Sequence, residues 1–237
     1  MLKAQLHIHT KEDPQDESFI KYTAKELIDL AADQEFTVLA ITCHNEIVFN
    51  QELKQRAMDR NILLIPAVER TIGGKHVLIY NITEEESQQI TSFDKLRQWR
   101  EDKIKEKYPF LVIAAHPFFY GPSCLKKIII RHLDLFDAWE YSFFYTKLFN
   151  PNHKMIKLSK EYFKPIIGNA DVHKVKDLSR TYSMINSEKD IRSIFEAIRN
   201  QQVELKTHPL STSHFFKTTS WVLFSFPFKL LKKYKNL

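Results

Sequence analysis

Short apolar runs alternate with helical patterns along most of the chain, and this alternation limits the fold more than any other feature. Strands that alternate with helices at this spacing form βαβ units, so we predict an α/β fold with a parallel sheet. About seven strands with outer helices indicate a barrel, with an open doubly wound sheet as the alternative. Strands are predicted at residues 5–8, 37–42, 61–69, 76–80, 110–116, 135–140, 165–168 and 182–185, and helices at 23–33, 50–60, 92–107, 145–162 and 188–200.

Polar side chains stand at the ends of these predicted strands. The first strand ends in His7-Ile-His9, where residues i and i+2 of an extended segment point the same way. In a parallel barrel the strand ends converge on one face, which is where catalytic groups lie. The same arrangement recurs along the chain at His44, Glu69, His76, His116, Asp171 and His173. We therefore expect these residues to share one pocket.

Imidazole and carboxylate groups together suit Zn, Mn or Fe. Two such ions about 3.5–4 Å apart can clamp a phosphoryl group and generate hydroxide at neutral pH. A single histidine at a strand end is more often a simple hydrogen-bonding residue, and Glu69 beside Arg70 could form a surface ion pair. The ordered series H-x-H, C-H-N, A-H-P and D-x-H is much more specific than any one of its members.

This series resembles the PHP family, named for polymerase and histidinol phosphatase. The resemblance implies a distorted (β/α)7 TIM-like barrel and phosphoester hydrolysis with up to three metal ions. The matching stretches are Leu-His-Ile-His-Thr at 6–10, Leu-Ala-Ile-Thr-Cys-His-Asn at 39–45, Ile-Pro-Ala-Val-Glu at 65–69, Lys-His-Val-Leu-Ile-Tyr at 75–80, Ala-His-Pro-Phe at 115–118 and Gly-Asn-Ala-Asp-Val-His at 168–173.

The resemblance also implies a ligand set for two or three divalent ions (Mn, Zn or Fe). His7, His9, Glu69 and Asp171 would surround the first ion, and Glu69 would bridge to a second ion held by His76 and His116. His44 and His173 would hold a third ion with an early acidic residue, either Asp13 or Asp16, of which we favour Asp13. His44, His173 and Asp171 are the predicted catalytic residues, and His44, His173 or a metal-bound water would protonate the leaving oxygen.

Two departures from the family pattern concern the surroundings of the metals. The second motif often reads T-D-H in the family, whereas Cys43 takes the place of the acid here and is interpreted as buried packing. The last motif often begins with Ser-Asp and here begins with Ala170. Glu140 is predicted to line the substrate pocket, and Arg180 is predicted to contact a phosphate, with a structural ion pair as its alternative.

The net charge of +6 is concentrated in the C-terminal tail, because residues 215–237 contain five Lys and no acidic residue. We predict a metallohydrolase barrel at 1–210 and an aromatic, basic tail at 211–237. The apolar run in that tail is too short to span a bilayer, so it either contacts a membrane surface or packs as a terminal helix on the barrel. Two cysteines and the absence of a signal-peptide pattern favour a cytoplasmic setting.

The expected substrate is a small phosphomonoester or the end of a nucleotide or short oligonucleotide, since the near-neutral body offers no long nucleic-acid track. A non-catalytic metal-binding or interaction domain is the alternative. A related hydrolase of C–N bonds is less favoured, because it would need a metal-bridging lysine that the strand ends do not offer.

Overall fold

The computed structural model describes residues 1–119, 121–211, 213 and 215. The alternation of strands and helices is present along this part of the chain. The strands are β1 (Leu2–Gln5), β2 (Val38–Leu39), β3 (Leu63–Leu64), β4 (Ala67–Ile72), β5 (Lys75–Tyr80), β6 (Leu111–Ala114), β7 (Ala138–Ser142), β8 (Ile166–Asn169), β9 (Thr181–Ile185) and β10 (Val203–Thr207). The helices are α1 (Ala24–Asp33), α2 (Gln51–Asp59), α3 (Glu84–Gln89), α4 (Phe93–Lys105), α5 (Ile128–Arg131), α6 (Asn152–Glu161) and α7 (Ile191–Arg199).

The strands form two five-stranded mixed sheets. One sheet has the order β10-β9-β1-β2-β3, and the other has the order β4-β5-β6-β7-β8. Parallel pairs join β1 to β2, β2 to β3, β6 to β7 and β7 to β8. The pairs of β9 with β1 and β10, and of β5 with β4 and β6, are antiparallel.

The prediction of a closed (β/α)7 barrel is wrong, because in the described residues no continuous ladder joins the two sheets. Single bridges, Ile8 to Val172 and His44 to Glu69, connect them. Between β1 and β8 side chains replace the ladder: the Asn169 side-chain oxygen accepts from Leu6 N at 3.1 Å, and the Gln5 side-chain oxygen accepts from Ala170 N at 3.1 Å. Backbone groups that bond to side chains cannot also pair as strands.

The prediction of a purely parallel sheet is also wrong, and the cause is a tight turn. Gly73 and Gly74 lie at φ 55° and 74°, values that L side chains rarely adopt. They join β4 to β5 with Ile72 opposite Lys75. A two-residue turn can connect only antiparallel strands, because a parallel pair needs a long crossover.

Local signals set the helix boundaries. A capping box begins α1, since Thr23 Oγ1 accepts from Glu26 N at 3.3 Å and the Glu26 carboxylate accepts from Thr23 N at 2.7 Å. α7 buries Ile194, Phe195 and Ile198 on one face. Each such side chain contributes about 1.5–3 kcal/mol when fully buried, so this face fixes the helix on the sheet.

In the described residues the core consists of three groups of buried apolar side chains, and each group includes residues beside the cluster motifs. Leu6, Ala115 and Ile167 belong to one group, whereas Ile8 and Cys43 belong to another.

None of the helices in the described residues has the length and apolar character needed to cross a bilayer. The predicted aromatic and basic tail lies almost wholly outside the described residues, so its role stays a prediction.

Gly168 in β8 is required by close packing. A Cβ atom added there would lie 2.2 Å from Leu205 Cδ1 and 2.9 Å from the Tyr182 carbonyl oxygen. We expect Gly168→Ala to lower the free energy of unfolding by about 1–3 kcal/mol, because backbone must move to relieve the clash. Urea unfolding measures this change. Gly121→Ala is the control, since its Cβ would come no closer than 3.4 Å to another atom; equal stabilities of the two variants would contradict the packing argument.

Candidate metal centre

The six histidines and two carboxylates at the predicted strand ends lie together at one edge of the sheets. His7 and His9 follow β1, His44 follows β2, Glu69 lies in β4, His76 in β5, His116 follows β6, and Asp171 and His173 follow β8. The other histidines of the described residues, His132, His153 and His208, take no part in the contacts of this cluster. The predicted gathering of side chains is therefore present, and their individual roles as ligands stay predictions.

Glu69 stands at the centre of the cluster and is 1% exposed. Its Oε2 atom lies 3.4 Å from His7 Nε2, 3.3 Å from His9 Nε2 and 3.1 Å from His44 Nε2. Its Oε1 atom faces the other side, 2.8 Å from His76 Nδ1 and 3.2 Å from His116 Nε2. One carboxylate thus presents each oxygen to a different set of histidines, which is the geometry of a bridging ligand.

The ring orientations of His7 and His9 leave lone pairs facing each other. His7 Nδ1 lies 2.8 Å from Glu140 Oε1, and His9 Nδ1 lies 2.7 Å from Asp13 Oδ2. A carboxylate accepts, so each Nδ1 carries the proton and each Nε2 is left as an acceptor when the ring is neutral. The two Nε2 atoms are 3.2 Å apart. Two acceptors at this distance repel unless a proton or a cation lies between them.

The acceptor atoms around His7 and His9 fit a metal ion. Asp171 Oδ1 is 3.4 Å from His7 Nε2 and 3.1 Å from His9 Nε2, so three potential ligand atoms converge. Metal–nitrogen bonds of about 2.0–2.1 Å place neighbouring ligand atoms about 3.0–3.4 Å apart. Three further groups of this kind are His9, Asp171 and His173; His9, Asp13 and His44; and His44, Glu69 and His76. The donor set therefore suits divalent ions.

The electrostatics of the cluster also favour cations. Among the described residues, no Lys or Arg forms an ion pair with Asp13, Glu69, Glu140 or Asp171. Burial lowers the pKa of His7, but the charges of Glu140, Asp171 and Glu69 outweigh burial and raise this pKa to about 10. Burial raises the pKa of Glu69, but the surrounding histidines outweigh it and hold this pKa well below its usual value. The same field that binds protons would bind metal ions.

Asp13 and Asp16, the two candidates for the third site, are both buried and occupy different places. Asp13 Oδ2 lies 2.7 Å from His9 Nδ1 and accepts from His44 N at 2.9 Å. Asp16 Oδ2 lies 3.0 Å from His173 Nε2. The His173 Nδ1 atom lies 2.9 Å from the Asp171 carbonyl oxygen, which accepts a hydrogen bond from it. Both acids therefore contact cluster histidines, and the choice of Asp13 over Asp16 as a third-site ligand stays a prediction.

Glu140, predicted to contact substrate, lies behind the histidines. It is 1% exposed, and while Oε1 contacts His7, Oε2 accepts from His116 N at 2.6 Å. A carboxylate in this place fixes the ring orientation of a ligand and raises its basicity. The sequence showed Glu140 only as a polar residue in an apolar strand, so its contact with His7 was not predicted.

The two cysteines flank the cluster. Cys43 is buried, and its Sγ lies 3.5 Å from Thr10 Oγ1; burial raises the pKa of its thiol to about 11, so it stays neutral. Cys124 Sγ lies 3.4 Å from His116 Nδ1. No feature of the sequence indicated that Cys124 would reach a cluster histidine, because the contact depends on the loop after β6.

Backbone conformation at two cluster residues is unusual. His116 has φ 27° and Asp171 has φ 42°. Residues other than glycine are costly in this region, and such conformations concentrate at functional sites where the surrounding structure enforces them.

Arg180 was predicted to contact a phosphate or to form a structural ion pair. Its guanidinium pairs with Asp177 at 3.0 Å, so a phosphate contact there would require this pair to open.

We expect Glu140→Gln to lower the affinity for divalent metal about 10–100-fold, as is typical when the partner of a ligating histidine is lost. An amide cannot accept from both His7 Nδ1 and His116 N as a carboxylate does. Competition with a chromophoric chelator measures the change. Glu161→Gln, at the exposed end of α6, is the control, and an unchanged affinity in Glu140→Gln would show that Glu140 does not support the site.

No protein-family model and no curated protein sequence matches this chain. Solved structures do. A two-domain protein from Bacteroides vulgatus that contains a predicted PHP-like metal-dependent phosphoesterase is 16% identical, with a TM-score of 0.62 over 87% of this chain and 65% of that one. PsfC from Pseudomonas syringae is 15% identical, with a TM-score of 0.61 over 97% of this chain and 98% of that one. An amidohydrolase from Chromobacterium violaceum is 14% identical, with a TM-score of 0.55 over 85% of this chain and 97% of that one.

At these identities the likeness concerns the fold, and this chain spans about two thirds of the length of the Bacteroides protein. The resemblance predicted from the motifs is confirmed at that level. The chain has the fold of PHP-like metal-dependent phosphoesterases, built here as two mixed sheets with a histidine and carboxylate cluster at their shared edge.

Proposed function

We propose that this chain is a metal-dependent phosphoesterase that uses two or three divalent ions. The observation that carries the proposal is the position of Glu69, whose two oxygens face two different groups of histidines. A bridging carboxylate between two ions is the arrangement that two-metal phosphoryl chemistry needs. The fold of the Bacteroides neighbour supports the same reaction class.

Divalent ions bound here would supply Lewis acidity and hydroxide at neutral pH, as they do in other two-metal hydrolases. The chain's own residues hold and orient the reacting groups. His7 and His9 are fully buried, whereas the exposed fractions of the Asp171, His173 and His76 side chains are 29%, 19% and 13%. Substrate therefore reaches the cluster from the side of these three residues.

His173 is the better of the two proposed proton donors. The ring nitrogens of both histidines contact neighbouring groups, so exposure separates them: the His44 side chain is only 5% exposed, whereas that of His173 is 19% exposed. His173 lies at the accessible edge, where a leaving oxygen would depart. General acid catalysis requires such contact with the departing group.

The substrate class that we propose is a small phosphomonoester or the end of a nucleotide or short oligonucleotide. A phosphate-release screen over nucleotides, sugar phosphates and short oligonucleotides, with Mn²⁺ or Zn²⁺ added, tests it. We expect release from at least one substrate that stops with a chelator and returns with metal. Release from none of them by metal-loaded protein would favour a non-catalytic metal-binding domain.

Hydrolysis of C–N bonds is the other enzymatic candidate, because one structural neighbour is an amidohydrolase. Lys75 is the first residue of β5 and precedes His76. Its Nζ donates to the Pro122 carbonyl, so it does not bridge the cluster. A panel of linear and cyclic amides assayed beside the phosphoesters separates these classes. Turnover of the amides alone would overturn the phosphoesterase proposal.

A further inference from the structure

A cavity of about 230 Å³ lies between α4 and α7, far from the histidine cluster. Phe110, which lines it, precedes β6, whereas His116 follows the opposite end of that strand. The four extended residues of β6 lie between them, a length of about 13 Å. We call this space the α4–α7 cavity, and the proposed hydrolysis does not involve it.

The lining of the α4–α7 cavity is strongly basic. Acidic side chains are contributed by Asp137 and Glu196 alone among its lining residues. The basic side chains are Arg100, Lys103, Lys107, Arg192 and Arg199. A concave surface with this excess of one charge concentrates anions.

Two of the arginines share one carboxylate. Arg100 Nη1 lies 2.9 Å from Asp137 Oδ2, and Arg199 Nε lies 3.1 Å from Asp137 Oδ1. Asp137 also accepts from Val112 N at 2.8 Å, which anchors it to β6. The Arg100 side chain is only 12% exposed and contacts both Asp137 oxygens, but one carboxylate serves two guanidinium groups, so the two arginines keep a net positive charge.

The same two guanidinium groups are held in place by an aromatic ring. The central carbon of Arg100 lies 4.9 Å from the centre of the Phe110 ring, and that of Arg199 lies 5.3 Å from it. Stacking and ion pairing fix both planar groups before any ligand arrives. Fixed arginines bind phosphate-like oxygens with little loss of side-chain entropy.

A second pair of cations lies at the exposed part of the lining. Arg192 Nη2 donates to the Lys107 carbonyl oxygen at 3.0 Å, which brings the two residues together. In the part of the chain that the structure describes, neither Lys107 nor Arg192 forms an ion pair with a carboxylate. Their charges are therefore available to a ligand.

We propose that the α4–α7 cavity binds a small polyanion of the pyrophosphate class. One phosphoryl group would meet Arg100 and Arg199, whose side chains are 12% and 34% exposed, and another would meet Lys107 and Arg192. The volume is smaller than the roughly 300–1,000 Å³ of sites for drug-sized ligands, so it suits a compact anion.

Calorimetric titration of the metal-loaded protein with pyrophosphate at about 0.15 M salt tests this proposal. We expect saturable binding that Lys107→Glu and Arg192→Glu each weaken about tenfold or more. Lys95→Glu makes the same change of charge on α4 away from the cavity, and it should alter the affinity less than about twofold. Asp171→Asn should leave this binding event intact, because it alters only the histidine cluster.

Four results would overturn the proposal. They are no saturable binding to the wild-type protein, an equal loss in Lys95→Glu, undiminished binding in both cavity variants, and disappearance of all binding in Asp171→Asn. Monophosphate that binds as tightly as pyrophosphate would exclude the polyanion class. Loss of phosphoesterase activity leaves the binding test unaffected, so the two proposals fail separately.

Discussion

Glu69→Gln is expected to lower turnover by about 10³-fold or more while the protein stays folded. The amide keeps the size of the side chain but loses the negative charge that five histidines face within 3.4 Å. It also offers only one acceptor oxygen, so it cannot present an oxygen to each group of histidines. Phosphate release under saturating Mn²⁺ measures the effect, and circular dichroism checks the fold.

Glu85→Gln is the matched control for this substitution, because Glu85 is an exposed residue of α3. Its turnover should equal that of the wild-type protein. Glu69→Asp serves as a second variant, since it keeps the charge but shortens the side chain. Full turnover of a folded Glu69→Gln protein would remove Glu69 from the centre of the site.

The second large effect concerns pH. The pKa of His7 is raised to about 10, and that of His9 is also raised. Both rings are therefore positively charged at neutral pH in the metal-free protein, with a proton on each ring nitrogen. A metal ion must displace those protons, so apparent metal affinity should rise with pH. Each displaced proton contributes about tenfold per pH unit, which predicts a gain of at least about 100-fold between pH 6 and pH 8.

Isothermal titration in buffers of different ionisation enthalpy counts the protons released per ion. His9→Gln should reduce that count, because one of the two protonated rings is gone. His153→Gln, at an exposed position of α6, should leave the count unchanged. An affinity that stays flat or falls as pH rises would contradict the protonation states inferred for the cluster.

The location of the cluster was predictable because it depends on local spacing. His7 and His9 flank a buried residue, Ile8, and point the same way on an extended segment. The hydrophobic runs before Glu69 and His116 predict extended segments that lead to these two residues. Neither observation requires knowledge of how distant segments pair.

The division into two separate sheets was not predictable from these patterns, because it depends on individual side chains where the sheets meet. Gln5 and Asn169 occupy the backbone groups that a ladder between β1 and β8 would use. Nothing in the composition of these strands distinguishes such a residue from one that faces solvent. The contacts of Glu140 with His7 and of Cys124 with His116 are similar cases. Each joins residues that are separated in sequence and meet only in the folded chain.

We infer that metal ions bind between the two carboxylate oxygens of Glu69 and the histidines that each oxygen faces. Anomalous diffraction from crystals grown with Mn²⁺ tests this claim most directly. The structure predicts one peak among His7 Nε2, His9 Nε2, Glu69 Oε2 and Asp171 Oδ1, and another beside Glu69 Oε1 near His76 and His116. Well-ordered crystals with no manganese peak at either position would contradict it.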